Sequence, residues 1–161
     1  MTCVNEMRVD FLACGENEGF ARLCAAAFIM RLNPTVDQMN DIKTAVSEAV
    51  TNAIIHGYDG TRGMVRLSGE IFDDNSVAFE VHDAGCGIED VERARQPFYT
   101  SRPDMERSGL GFTVMETLMD TVEVTSQRGR GTKVRMTKQL GAPDEAARGN
   151  DGVHPPRAGG R

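Results

Sequence analysis

The sequence predicts an α/β fold of the α+β kind, with helices packed on a mixed, mainly antiparallel sheet. Two long stretches of helical periodicity lie near the N-terminus, and strand-like runs pair up across short turns without a regular βαβ repeat. The chain has 161 residues, enough for one domain with a substantial core and too few for two of ordinary size. No internal repeat is visible.

The elements follow in order. Met7, Val9 and Phe11 alternate with Arg8 and Asp10, which predicts a first strand. Apolar residues at Phe20, Leu23, Cys24, Ala27, Phe28 and Leu32 predict a helix over residues 17–32, broken by Asn33-Pro34. Thr35 then opens a second helix, with Gln38 three residues on to complete a capping box. Its stripe of Val36, Met39, Ile42, Val46, Ala49, Val50 and Ala53 runs to His56-Gly57. Strands are predicted at 64–72 and 76–83 around the turn Asp73-Asp74-Asn75. Residues 97–108 are polar and irregular and predict a loop, followed by a helix over 109–119. Strands at 121–127 and 132–138 flank Arg128-Gly129-Arg130-Gly131 as a second hairpin.

The last residues, 141–161, hold five Gly and three Pro, with Val153 as their only large aliphatic residue. Such a segment buries too little apolar surface to offset its ordering entropy, so a folded body over 1–140 and a disordered tail are expected. The tail's charges cancel, and the formal charge of −6 belongs to the body. An acidic body argues against direct nucleic-acid binding, which needs a basic surface. Cys3, Cys14, Cys24 and Cys86 show no C-x-x-C pair and no metal-ligand spacing, as scattered thiols in a reducing compartment would. With no membrane-length apolar run and no signal-peptide pattern, a cytoplasmic protein without membrane contact is expected.

Three places concentrate the chemistry. On the second helix Glu48, Asn52 and His56 are spaced four apart and share a face, drifting ~40° per step. Alone, this spacing favours a solvated polar stripe on an amphipathic helix. An amide oxygen can nevertheless ligate Mg²⁺, and a carboxylate one turn earlier can take a proton from an attacking hydroxyl. The second place is Asp83-Ala84-Gly85-Cys86-Gly87-Ile88 at a strand end. Its glycines allow a sharp turn and close approach, and Asp83 can accept a hydrogen bond from adenine's exocyclic amine, which guanine lacks at that position. A plain structural turn remains open; an EF-hand loop does not, because its further acidic ligands are absent. The third is Arg107-Ser108-Gly109-Leu110-Gly111-Phe112, a glycine pair opening a helix beside an arginine, suited to phosphate. It is weak alone, lacking the Rossmann, P-loop and eukaryotic-type kinase signatures.

Taken together, their order and spacing resemble the nucleotide site of the GHKL superfamily. The runs Asn5-Glu6-Met7, Glu16 to Arg22, Ser47 to Tyr58 and Glu106 to Phe112 resemble the sporulation anti-sigma F family more closely, over about residues 5–140. That resemblance implies a two-layer sandwich of the Bergerat type, homodimers, and a double activity. Such proteins bind a sporulation sigma factor when loaded with ATP, and they phosphorylate a serine on an anti-anti-sigma protein. It implies Glu48 as general base, Asn52 as Mg²⁺ ligand and Asp83 as the adenine-reading acid beside Gly85 and Gly87. Arg107, Ser108, Gly109, Leu110 and Gly111 would bind phosphate, and Thr132 would support the adenine pocket. Arg22 and Thr51 would lie at or near the partner surface. His56 has no assigned role; a structural hydrogen bond stands beside catalysis. Alternatives are a switch kinase for a stress-response sigma factor, a binding module that holds ATP without transferring it, and the ATPase part of a histidine kinase.

Overall fold

Alternation at the N-terminus extends further than its apolar residues suggest. In the computed structural model, which describes residues 1–99 and 109–141, β1 spans Cys3–Leu12. The expected tail and the residues Arg107 and Ser108 lie outside the described residues. After β1 come α1 (Glu16–Ile29), a 3-10 turn (Met30–Leu32) and α2 (Val36–Asn52), which runs directly into a π-helical turn (Ala53–Gly57). β2 (Met64–Phe72), β3 (Ser76–Asp83), a short α3 (Val91–Ala94), α4 (Gly111–Leu118), β4 (Thr121–Gln127) and β5 (Gly131–Gln139) complete the order.

The sheet runs β1-β2-β3-β5-β4, and every pairing is antiparallel, so the expected mixed character is absent among the described residues. Its two faces differ as the alternation demands. Val65, Leu67 and Ile71 of β2, Val77, Phe79 and Val81 of β3, and Val134 and Met136 of β5 are buried in the core. The other face carries ion pairs, among them Arg66–Asp10 at 2.7 Å and Lys133–Glu80 at 3.4 Å. One face packed and one charged gives the two-layer sandwich.

The first expected helix runs as α1 to Ile29 and as the 3-10 turn to Leu32, and it ends where Asn33 takes a left-handed φ of 48° and Pro34 cannot continue it. Thr35 then caps α2 with the expected box: its side chain accepts from the Gln38 amide, and the Gln38 side chain accepts from the Thr35 amide at 3.0 Å. Ile42, Val46, Ala49 and Val50 are buried. Each of the larger three contributes about 1.5–3 kcal/mol by burial, which anchors α2 and fixes the direction of its polar face. α3 was not anticipated; four residues are too few for periodicity to register. The last helix starts at Gly111 instead of 109, because Gly109 has a φ of 62° and lies outside the helix.

Candidate functional site

A cavity of about 660 Å³ opens where the C-terminal part of α2, the ends of β3 and β5, α3 and the start of α4 converge. Its walls include Asn52, His56, Asp83, Gly87, Gly109, Gly111 and Thr132, with Ala49, Val81, Ile88, Phe112 and Val134 as apolar lining. That volume is in the range of small-molecule sites, and the mixture of apolar walls with a few converging polar groups suits a flat base bearing a polar tail.

One end is built around Asp83, which is 4% exposed. Residue 83 is opposite Thr132 in the β3–β5 register. The Asp83 carboxylate accepts from the Gly85 amide at 3.0 Å and from the backbone amide of Thr132. Burial raises its pKa above the ordinary carboxylate value, and these two amides, with His82, pull it back in part. Close approach makes the glycines around it necessary. A Cβ at Gly57 would stand 2.7 Å from Asp83 Oδ1, and one at Gly85 would overlap the Gly57 carbonyl. The Gly57 carbonyl in turn accepts from the Cys86 amide at 2.8 Å, locking the turn to the π-helical segment. Gly87 takes a φ of 73°, and the Ile88 amide donates to Ser126 Oγ at 2.7 Å. Ser126 Oγ lies 2.8 Å from Thr132 Oγ1, so Thr132 is held from the neighbouring strand.

Gly111 forms the other end. A Cβ there would stand 3.2 Å from Glu48 Oε2 and 3.3 Å from both Asn52 side-chain atoms. The lack of a side chain at Gly111 therefore leaves the start of α4 open directly over the Glu48–Asn52 pair. Gly109 meets Phe98: the Phe98 amide donates to the Gly109 carbonyl at 3.0 Å, and both residues have positive φ. Helix-start amides beside a backbone turn form a cradle for an anion. An amide oxygen and a carboxylate next to such a cradle have the hard-oxygen character that Mg²⁺ takes alongside phosphate. The residues fit a magnesium nucleotide.

The structure thus brings Asn52, Asp83, Gly87, Gly109, Gly111 and Thr132 onto one cavity, with Glu48 against Gly111. Gly85 and Leu110 sit beside the wall, Gly85 as a backbone contact and Leu110 as the residue preceding α4. Arg22 and Thr51 do not line the cavity among the described residues; Arg22 is exposed on α1, 3.8 Å from Glu18, and Thr51 is half-buried on α2. His56 reaches the wall, and its carbonyl accepts from Cys86 Sγ at 3.0 Å.

A family profile described as a histidine kinase-like ATPase domain matches residues 16–138. The anti-sigma F factor of Clostridium beijerinckii is 55% identical over 137 residues, covering 84% of this chain and 95% of that protein. The anti-sigma F factor of Pasteuria penetrans is 54% identical over 145 residues, covering 89% and 96%. This chain belongs to the anti-sigma F factor family. The fold also matches part of a Mycobacterium tuberculosis structure that comprises RsbU and RsbW domains, at a TM-score of 0.64 and 20% identity, covering 87% of this chain and 34% of that one. Full-length ShkA, solved in complex with AMPPNP, aligns at a TM-score of 0.55 and 21% identity, covering 82% of this chain and 32% of that one.

Several contributors to the site in this anti-sigma F family member escaped sequence reasoning. Tyr58 is buried; its hydroxyl donates to the Met64 carbonyl at 2.5 Å and accepts from the Ala84 amide at 2.9 Å, pinning the turn that carries Gly85. Ser126 steadies both Ile88 and Thr132. Arg93 and Tyr99 line the cavity from α3 and the stretch after it. The π-helical turn inserts one extra residue per turn after Asn52, which no periodicity argument over five residues can detect.

Proposed function

We propose that this chain binds Mg-ATP in the cavity, inhibits a sporulation sigma factor and phosphorylates a serine of an anti-anti-sigma protein. The single observation that carries the reading is the approach of Gly111 to Glu48 and Asn52, at the far end of a cavity whose other end holds the buried Asp83. A carboxylate that accepts from adenine, an open helix start and an acid–amide pair occur in the order a nucleotide requires. The names of the relatives support a sigma factor as partner.

In this reading Asp83 takes the exocyclic amine of adenine, with Thr132 beside it, while Gly87 lets the backbone approach the base. The amides at Gly109, Leu110 and Gly111, with Arg107 and Ser108, hold the phosphates. Asn52 holds Mg²⁺, which when bound supplies neutralising charge on the phosphate oxygens. Phosphoryl transfer asks the protein mainly for positioning and charge stabilisation. The serine oxygen forms its bond to the γ-phosphorus as the bond to the bridging oxygen breaks, ADP departs, and Glu48 receives the serine proton.

Arg22 and Thr51 contribute to the surface that meets the sigma factor and the anti-anti-sigma substrate. The protein works as a cytoplasmic homodimer; among the described residues no helix is long and apolar enough to cross a membrane. Incubation with γ-labelled Mg-ATP and the anti-anti-sigma protein tests the reading. Label is expected on a serine of that protein. Bound ATP without any transferred label would leave a nucleotide-holding module in place of a kinase.

A further inference from the structure

Arg93 and Tyr99 occupy the cavity wall together, with the Arg93 guanidinium carbon 5.0 Å from the centre of the Tyr99 ring. A guanidinium over an aromatic face is held by the ring's negative face through its charge and keeps several N–H donors for an anion. The pair also belongs to the phosphate end. Tyr99 follows Phe98, whose amide is bonded to Gly109, and Gly109 is two residues from the Gly111 that meets Glu48 and Asn52. α3 is secured at both ends: the Asp90 side chain accepts from the Arg93 amide at 3.0 Å, and Arg95 pairs with Glu116 of α4 at 2.6 Å. Arg93 therefore rides on a segment tied to the same helix that presents Gly111.

Charge gives an independent argument. Asp83, Glu89 and Asp90 line the cavity, and Arg93 is the only lysine or arginine on its wall among the described residues. A polyanionic ligand entering a wall with three carboxylates gains from each cation that meets its phosphates.

We infer that Arg93, braced on Tyr99, contacts the phosphate chain of the bound nucleotide. This inference rests on the nucleotide reading. Its test is calorimetric titration of the full chain with ATP, ADP and adenosine in the presence of Mg²⁺, for wild type, Arg93→Gln, Arg93→Lys, Tyr99→Leu and Tyr99→Phe, with thermal melts as a folding control.

Arg93→Gln is expected to weaken ATP and ADP by about tenfold, the loss of one charge-assisted contact, to leave adenosine unchanged, and to reduce the salt dependence of ATP binding. Arg93→Lys should fall between wild type and Arg93→Gln, because it keeps the charge and loses the forked guanidinium donors. Tyr99→Leu should weaken ATP by a smaller factor, and Tyr99→Phe should match wild type. Wild-type protein that binds no ATP would overturn the nucleotide reading itself. Wild type that binds, with ATP affinity unchanged in Arg93→Gln, would overturn this inference alone. Equal loss of ATP and adenosine would overturn it as well, since the contact would then be to base or ribose. Tyr99→Leu with wild-type affinity would remove the brace.

Discussion

The two ends of the cavity are built on different principles. Around Asp83 the geometry is set by backbone amides, buried carboxylate and glycines so tightly approached that a methyl group has no room. At Gly109 and Gly111 it is set by a turn with paired positive φ values and the start of a short helix, beside side chains on α2. The first end sits on the sheet, and its freedom is nearly nil. The second sits where a backbone turn meets the start of α4. Base recognition, which rejects a wrong ligand, belongs on rigid structure; anion binding needs backbone amides left open, as at a helix start.

The sharpest way to break this contrast is a methyl group on each side. Gly85→Ala would drive a Cβ into the Gly57 carbonyl, backbone against backbone. It is expected to abolish nucleotide binding and to cost about 3 kcal/mol of stability, by denaturant titration. At Gly111→Ala the nearest atoms are side-chain atoms of Glu48 and Asn52 at 3.2–3.3 Å, which can shift, so it should retain most stability while impairing ATP binding. Equal destabilisation by both would erase the distinction between the ends.

Asp83→Asn comes next. It replaces an acceptor by a group that also donates, and ATP affinity should fall by about tenfold to a hundredfold, with weakened discrimination against GTP, in competition binding. Its titration adds a signature. The folded pKa is raised above the unfolded value by burial, so protonation favours the folded state: the stabilisation is fully present below the unfolded pKa and is lost as pH rises through the folded pKa. Nucleotide affinity should run the other way and decline on acidification already above the ordinary carboxylate range, because the protonated acid loses its charge and accepts more weakly from the amine. In Asp83→Asn both dependences should vanish.

Asn52→Ala is expected to weaken Mg-ATP more than metal-free ATP; identical losses in calorimetry with and without Mg²⁺ would remove Asn52 as the ligand. The smallest effect is at Tyr58→Phe, where one hydroxyl serves the Met64 carbonyl and the Ala84 amide. About 1–2 kcal/mol of stability should be lost, with little change in nucleotide affinity.

Most of the fold was legible because the elements are long and obey one period each. β2, β3 and β4 match the predicted runs, and the Thr35–Gln38 capping box sits where two side chains announced it. α3 and the π-helical turn were not legible, being too short for a period to repeat. The candidate site divides the same way. Asn52, Asp83 and Gly111 stood out through short motifs of recognisable spacing, whereas Tyr58 and Ser126 act through single hydroxyls whose partners lie across the sheet or a turn. Nothing in a linear sequence points from Ser126 to Ile88. The close fit of Gly57 to Asp83 was equally hidden, since a glycine ending a helix needs no further reason.

The central claim is that the acid and amide beneath Gly111 form a phosphoryl-transfer centre served by a nucleotide held at Asp83. Single-turnover transfer from labelled Mg-ATP to the anti-anti-sigma protein by Glu48→Gln, paired with ATP titration of the same variant, tests it most directly. Transfer reduced about 10²–10⁴-fold with ATP affinity nearly unchanged is the predicted result. Transfer at the wild-type rate would contradict it.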